Sequence, residues 1–417
     1  QLGVLKTLHE LGENDFNIVF GVSVGALNAA MIVQGDLDRM AYMYDHLEAS
    51  QIVKGFVPND MSIGNLINER QEFIPAVKYW ASNGGIDISP FYQMVHDFYV
   101  PERFFASDKD FFCVTATAKN HDGVLVTKEM MKEHGEDWLV ASASAYPAFP
   151  IKTIDGNEYV DGGYYDNFPV DYALQQGADK IIGIDMGPDP IHPLYLDKDN
   201  IWYIRPREEM YSFLTFDHVL MQKAKIMGYN DTMKTYGKLA GWKYTFSSFT
   251  YPSYFDEYYR GLLRLETKIK MATSLNERFR SQQVITDVLK ERMNLSHLSV
   301  RQYYYGILDA LLELSGADSS KIYTLEEARM IILASFAQCA YEDYGYKPSG
   351  ISDLAAYIKS LDQKGYVEKS IHANLYPEHR LFSDETMMTL HPFEVALADF
   401  VTIMMKHLPE DSYAENC

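Results

Sequence analysis

A serine stands between two glycines near the start of the sequence, in the pentapeptide Gly21-Val22-Ser23-Val24-Gly25. A short apolar run precedes it, and a helix pattern of small residues follows at once. In a sharp strand-to-helix turn, glycines remove side chains that would clash, and the serine hydroxyl projects toward a substrate. The N–H of Val24 can then donate to a developing oxyanion. We predict that Ser23 is a nucleophile in acyl transfer, with Gly21, Val24 and Gly25 as its elbow; a turn without chemistry is the alternative.

A nucleophilic serine needs a group that takes its proton, and a carboxylate is one candidate. Asp161 ends a strand pattern in Tyr159-Val160-Asp161-Gly162-Gly163, and a helix pattern follows it. Gly162 and Gly163 allow unusual backbone angles and the close approach of another loop. Taken by itself, however, the motif favours an ordinary turn aspartate over a catalytic base.

Histidine is the other candidate base, because α/β-hydrolases carry a serine, an acidic residue and a histidine in that order. The chain holds 12 histidines, but each is more often a surface or packing residue than a catalyst. A histidine triad would use His192 or His218. An esterase rate that falls below about pH 6.5 would indicate such a triad.

Composition narrows the function classes. The formal net charge of −21 works against binding to polyanions, so we expect no nucleic-acid partner. The cysteines Cys113, Cys339 and Cys417 form neither a disulfide framework nor a metal-ligand spacing, and they favour a reducing compartment. We therefore expect a cytoplasmic protein without metal or cofactor. Because Gln1 already starts a helix pattern, a preceding segment such as a signal peptide is the alternative.

The elements divide the chain into two parts. Up to about residue 248, strand and helix patterns alternate, which predicts an α/β domain with a mainly parallel sheet. Asp-Gly pairs at 122–123 and 155–156 fit hairpin turns inside it. From 249 to 417 we expect a mostly helical domain, and Thr324 begins a capping box there. The predicted long helical segments are 257–293, 299–314, 324–341 and 392–407.

Several motifs, in order along the chain, resemble the patatin-like phospholipases. That family carries its nucleophile in G-x-S-x-G and an aspartate in D-G-[GA], which correspond here to Ser23 and Asp161. The two residues are 138 positions apart (161 minus 23). Between them, the segment ASASAYPAFP (141–150) is similar to the family's AS-x-A-x-P-x-x-FP. The tetrapeptide Gly228-Tyr229-Asn230-Asp231 resembles part of a late family helix, and the resemblance extends to about residue 248.

This resemblance implies a fold and an activity. The expected fold is a three-layer sandwich with a mainly parallel central sheet, followed by the helical region of unknown role. The expected reaction is that of a phospholipase A-type esterase. In it Ser23 attacks a fatty-acid ester, and Asp161 takes the serine proton without a histidine. The expected partner is therefore a lipid or another acyl ester; the sequence carries no signal of oligomeric state.

Two features leave alternatives open. The family places a glycine-rich oxyanion loop just before a helix that resembles residues 1–5, so the loop either precedes Gln1 or is lacking. If it is lacking, a catalytically silent scaffold that binds a partner through its helices becomes the rival hypothesis. Aromatic segments at 210–216 and 244–255 could contact a membrane interface transiently, but packing between the two domains is the commoner explanation.

Overall fold

The structure is a computed structural model. It describes residues 1–54, 84–186, 198–208, 217–247, 254–261, 285–295, 297–342, 350–380 and 384–407, with isolated residues between these ranges. The chain forms two compact units, residues 1–235 and 236–417. The predicted boundary at 248 lies further along the chain than this division.

The first unit mixes helices with strands. Its helices are α1 (Leu2–Glu10), α2 (Val24–Val33), α3 (Leu37–Asp45), α4 (Ser89–Phe98), α5 (Pro101–Ala106), α6 (Met131–Ser142), α7 (Val170–Gln175) and α8 (His218–Thr235). Its strands are β1 (Ile18–Val22), β2 (Asp110–Thr117), β3 (Gly123–Thr127), β4 (Lys152–Ile154), β5 (Asn157–Asp161), β6 (Ile181–Ile184) and β7 (Ile201–Ile204).

Strand β2 determines where the ends of two other strands lie. β1 runs parallel to it, with Val22 opposite Val114, whereas β5 runs antiparallel to it, with Asp161 opposite Thr115. β3 pairs with β2 along the same stretch. A strand has only two edges, and β3 occupies one edge of β2. β1 and β5 must therefore both pair with the opposite edge of β2. Val22 and Asp161 therefore lie beside consecutive residues of β2, and Ser23 follows directly after Val22.

Two hairpins confirm predicted strand pairs. β2 pairs antiparallel with β3, and β4 pairs antiparallel with β5. The second turn has positive φ at both Asp155 (48°) and Gly156 (78°), as a tight hairpin with the right-handed strand twist requires. In the first turn, the positive φ falls on His121 (58°), before the predicted Asp122-Gly123 pair.

The α/β class with a central sheet is confirmed, but parallel pairing is limited. Among the described residues of the first unit, only β1–β2 and the separate pair β6–β7 are parallel. Two of the antiparallel pairs, β2–β3 and β4–β5, are joined by short turns, and a short hairpin can join only antiparallel strands. The two faces of β1 meet different apolar clusters. Val19 belongs to the cluster that contains Ala26 and Val140, whereas Phe20 packs with Val170 and Ile181.

The second unit is mostly helical. Its helices are α9 (Ile285–Met293), α10 (Val300–Leu314), α11 (Leu325–Ser335), α12 (Ile351–Ser360), α13 (Gln363–Leu375), α14 (Asp384–Leu390) and α15 (Pro392–Lys406). Short strands accompany them: β8 (Ala240–Gly241), β9 (Thr245–Phe246) and β10 (Ile322–Tyr323). The predicted capping box is present, since Thr324 Oγ1 accepts from the N–H of Glu327 at 3.1 Å and the Glu327 carboxylate accepts from the N–H of Thr324 at 2.7 Å. Most of the predicted 257–293 helix lies outside the described residues.

The aromatic residues near the predicted boundary belong to the second unit. Tyr244, Phe246, Tyr254 and Phe255 are buried in its apolar core. β9 also pairs with β10, which explains why the second unit begins before residue 248. These four aromatic side chains therefore contribute to the core of the second unit. The other aromatic segment, 210–216, lies outside the described residues.

None of the helices in the described part of the chain is both long enough and apolar enough to span a bilayer.

Candidate active site

Ser23 stands on a strained turn between β1 and α2. Its backbone angles, φ 56° and ψ −133°, are sparsely populated for any residue with a side chain, and such a conformation costs about 1–3 kcal/mol. The turn is also crowded, because a Cβ on Gly21 would lie 2.3 Å from the carbonyl oxygen of Gly25 and 2.6 Å from the Cα of Ala26. Only glycine fits at position 21 without a backbone shift. The strand can therefore reverse sharply into the helix and leave the Ser23 hydroxyl at the turn.

The structure brings Ser23 and Asp161 into direct contact. The Ser23 hydroxyl donates to Asp161 Oδ2 at 2.7 Å. The other carboxylate oxygen, Oδ1, accepts from the Gly163 N–H at 2.8 Å. The main chain is fixed as well, since the N–H of Asp161 donates to the Ser144 carbonyl at 2.9 Å. The serine and the carboxylate, 138 residues apart in sequence, are thus positioned at the shared edge of β2.

Burial alters the chemistry of this carboxylate. Asp161 is only 6% exposed, and this burial raises the pKa of its carboxyl above the ordinary value. The hydrogen bonds from Ser23 and Gly163 offset part of the rise, since both donors favour the charged form. A carboxylate with a raised pKa is a stronger base, which suits proton transfer from a hydroxyl.

The glycines after Asp161 have different surroundings. A Cβ on Gly162 would lie 2.1 Å from the Val114 carbonyl oxygen, so this position admits no side chain unless β2 moves. A Cβ on Gly163 would lie 2.3 Å from Asn167 Oδ1, which is a side-chain atom and can move. Gly25, in contrast, meets nothing nearer than Gln1 Nε2 at 3.5 Å. The expectation that Gly25 relieves a clash is therefore wrong, since a Cβ there would make only an ordinary contact.

The backbone N–H of Val24, which the sequence predicts as an oxyanion donor, lies at the start of α2. Val24 is the first residue of α2, and the first N–H groups of a helix have no acceptor within the helix. No described residue accepts from the Val24 N–H. The N–H of Ser23 itself is not available, because it donates to the Ser142 hydroxyl at 3.1 Å.

Sequence reasoning missed Ser142 as part of this site. Ser142 ends α6 and belongs to the segment 141–150, which was noted for its resemblance to a family motif but received no role. The available signal was that segment itself, since it places two small hydroxyl residues shortly before the aspartate strand. The hydroxyl of Ser142 contacts Ser23 only at the backbone N–H of Ser23.

No described histidine forms a hydrogen bond with Ser23 or Asp161. His218 is the first residue of α8, and His192 lies outside the described residues. Within the described ranges, no group of three or more His, Cys, Asp and Glu side chains is arranged to hold a metal ion. The contact that the geometry offers for proton transfer from Ser23 is therefore the one with Asp161.

Comparisons with known proteins point to one family. Residues 1–174 match the family model described as patatin-like phospholipase. The patatin-like phospholipase domain-containing protein 7 of Mus musculus is 26% identical over 196 residues, which represent 45% of this chain and 12% of that protein. The match therefore spans only about an eighth of the length of that relative.

One solved structure aligns with most of the chain but shares little sequence with it. VipD from Legionella pneumophila aligns over 95% of this chain and 89% of its own, with 13% identity and a TM-score of 0.37. A similarity of this size does not bear on the fold. The family match covers both Ser23 and Asp161, and it confirms, over residues 1–174, the resemblance to patatin-like phospholipases that the motifs first indicated.

Proposed function

We propose that this protein is a lipid acyl hydrolase, a phospholipase A-type esterase that works through a Ser23–Asp161 dyad and an acyl-enzyme. The observation that carries the proposal is the 2.7 Å hydrogen bond from the Ser23 hydroxyl to Asp161 Oδ2, made from a strained strand-to-helix turn. The match of residues 1–174 to the patatin-like phospholipase family supports lipid esters as the substrate class.

In the first half-reaction, Ser23 Oγ attacks the ester carbonyl carbon while its proton passes to Asp161 Oδ2. A serine hydroxyl is a far weaker acid than a carboxylic acid, so attack and proton transfer must be concerted. The Val24 N–H donates to the oxyanion that forms. When the tetrahedral intermediate collapses, the bond to the alcohol breaks, and the leaving oxygen takes the proton from Asp161.

In the second half-reaction, water replaces the alcohol. Asp161 accepts a proton from the water as the water oxygen attacks the acyl carbon. The bond between Ser23 Oγ and that carbon then breaks, and Ser23 regains its proton from Asp161. The products are a fatty acid and the free dyad, and every step uses groups that the chain itself supplies.

The surroundings of the dyad suit an apolar acyl group. Val24, next to the nucleophile, is 45% exposed, and Tyr164, three residues after the aspartate, is 46% exposed. Both side chains offer accessible apolar surface close in sequence to the dyad, and we propose that they contact the acyl chain of the substrate.

For the fold, we propose the three-layer sandwich. Its support is the division of the two faces of β1 between the cluster that holds Val19 and the cluster that receives Phe20. We also propose that the sheet is mainly parallel, and the parallel pairs β1–β2 and β6–β7 support this.

The test is hydrolysis of p-nitrophenyl esters of increasing chain length and of phospholipid vesicles by the full-length protein. We expect turnover to rise with acyl length and to fall at least about 10³-fold in Ser23→Ala, with an unchanged circular dichroism spectrum. Activity that survives in Ser23→Ala would exclude the dyad. Absence of turnover in both folded proteins would exclude the esterase and favour the silent scaffold.

A further inference from the structure

Ser142 is a buried hydroxyl residue that the proposed reaction does not use. Its side chain is fully buried, and its hydroxyl takes part in two hydrogen bonds. It donates to the Val114 carbonyl at 2.7 Å and accepts from the Ser23 N–H at 3.1 Å. One hydroxyl group therefore connects the nucleophile's backbone to β2.

The hydrogen bond from Ser23 to Ser142 is made by the residue of the turn with the strained backbone conformation. Positive φ at Ser23 (56°) places it in a conformation that relaxes unless neighbouring contacts prevent it. The crowding at Gly21 keeps the turn tight, but it fixes no particular direction for the Ser23 amide. The Ser142 hydroxyl does fix a direction, because it accepts from that N–H in the protein interior.

The other partner of Ser142 adds a second constraint. Val114 is the residue of β2 opposite the last residue of β1, and the next residue, Thr115, is opposite Asp161. By bonding the Val114 carbonyl, Ser142 ties the elbow to the point of the sheet that also positions the base. The distance between Ser23 Oγ and Asp161 Oδ2 thus depends on one shared anchor.

We propose that Ser142 is a positioning residue for the nucleophile: its hydroxyl holds the Ser23 amide inward, so that the Val24 N–H is left to face the oxyanion and the Ser23 hydroxyl faces Asp161. The role rests on the proposed esterase function. Ser142 touches neither substrate nor the reacting atoms. Its loss should therefore lower kcat, leave KM nearly unchanged and leave the pH dependence set by Asp161 where it is.

The test compares Ser142→Ala with a control at another buried hydroxyl, Thr7→Val. Thr7 is also fully buried, but its hydroxyl donates to the Gly3 carbonyl within α1, at 2.8 Å, away from the dyad. We expect kcat on a p-nitrophenyl ester to fall about tenfold to hundredfold in Ser142→Ala. We expect Thr7→Val to stay within about threefold of the wild type, with a similar change in melting temperature.

A third variant and a second measurement separate positioning from general damage. Ser142→Cys keeps a weak donor and acceptor at nearly the same volume, so its kcat should fall between those of the serine and alanine forms. Hydrogen–deuterium exchange at the Ser23 amide should become about tenfold faster or more in Ser142→Ala and stay unchanged in Thr7→Val. This exchange is measured without any substrate.

Each outcome decides the inference. Faster exchange at Ser23 together with a kcat loss graded from cysteine to alanine would support it. Unchanged exchange in Ser142→Ala, or faster exchange without loss of kcat, would overturn it while the esterase function stands. A wild-type protein without turnover would overturn the proposed function, and the positioning role with it.

Discussion

The two halves of the dyad are held by different means. Ser23 stands on a backbone with positive φ, in a turn so tight that position 21 admits only glycine. Asp161 stands at the end of a strand with ordinary angles, φ −48° and ψ 136°, and its carboxylate is fixed by hydrogen bonds from Ser23 and the Gly163 N–H. Steric crowding thus keeps the turn at the serine tight, whereas hydrogen bonds alone hold the carboxylate of the aspartate.

This difference indicates what each half depends on. A turn held by van der Waals exclusion does not change with pH, but it tolerates no added atoms. A buried carboxylate held by two donors tolerates isosteric replacement structurally, but its charge depends on pH. Mutations at the elbow should therefore act mainly on stability, and mutations at the aspartate mainly on chemistry.

The largest effect is expected for Asp161→Asn. The amide has the same shape but cannot accept the serine proton, so kcat should fall about 10³-fold, with little loss of stability. The double variant Ser23→Ala, Asp161→Asn should be no slower than either single variant, because the two residues act as a unit.

The control for this change is Asp166→Asn. Burial raises the pKa of Asp166 too, and its carboxylate accepts from the Phe168 N–H without contacting Ser23. The kcat of Asp166→Asn should stay within about threefold of the wild-type value. Equal losses in both variants would contradict a specific role of Asp161.

The next largest effect is expected at the elbow. Gly21→Ala should reduce the free energy of unfolding by about 3 kcal/mol or more, because its Cβ would overlap the backbone of α2. Gly25→Ala should change it by less than about 1 kcal/mol, since that Cβ makes only an ordinary contact and alanine favours a helix. Urea denaturation of both variants measures the difference, and similar costs at the two glycines would show that crowding does not hold the serine.

The smallest effect concerns pH. Because the folded-state pKa of Asp161 is raised, folding favours its neutral form. That contribution to stability is fully present below the unfolded-state pKa and is lost as pH rises through the folded-state pKa. Turnover has the opposite dependence, because only the ionised carboxylate is a base.

The raised pKa of Asp161 can be tested by two series of measurements, one of stability and one of turnover. Asp161→Asn should gain stability relative to the wild type as pH rises through that range, in urea midpoints taken at several pH values. The kcat of the wild type should fall on acidification at a higher pH than an ordinary aspartate would give. A stability difference that does not vary with pH would contradict the raised pKa.

The sequence predicted local structure best where a few adjacent residues decide it. The turn at Asp155-Gly156 follows from residues that accept positive φ, and the helix after Thr324 follows from a reciprocal pair of cap bonds. The pairing of Ser23 with Asp161 was predicted by resemblance, whereas the motif around Asp161, taken alone, favoured an ordinary turn aspartate. What brings them together is the register of β1 and β5 on β2, which no local pattern encodes.

The same reason explains what was missed. Ser142 contacts two residues far away in the sequence, Ser23 and Val114. The segment around it resembles a family motif, but that segment does not indicate which residues Ser142 contacts. The boundary at 248 stays a prediction; the two compact units divide between residues 235 and 236, and Thr245 and Phe246 pair with strands of the second unit. Gly25 was grouped with Gly21 because both flank the serine, although only Gly21 faces the backbone of the turn.

The meeting of β1 and β5 on one edge of β2 makes this site a reporter of correct folding. A slip of β5 by one residue would move Asp161 by about 3.3 Å and turn its side chain to the opposite face of the sheet. Such a misregistered molecule could keep its helices and most of its apolar core and still hydrolyse nothing. During refolding, recovery of ester hydrolysis would therefore count molecules with the native strand alignment, which circular dichroism would not distinguish from their misaligned counterparts.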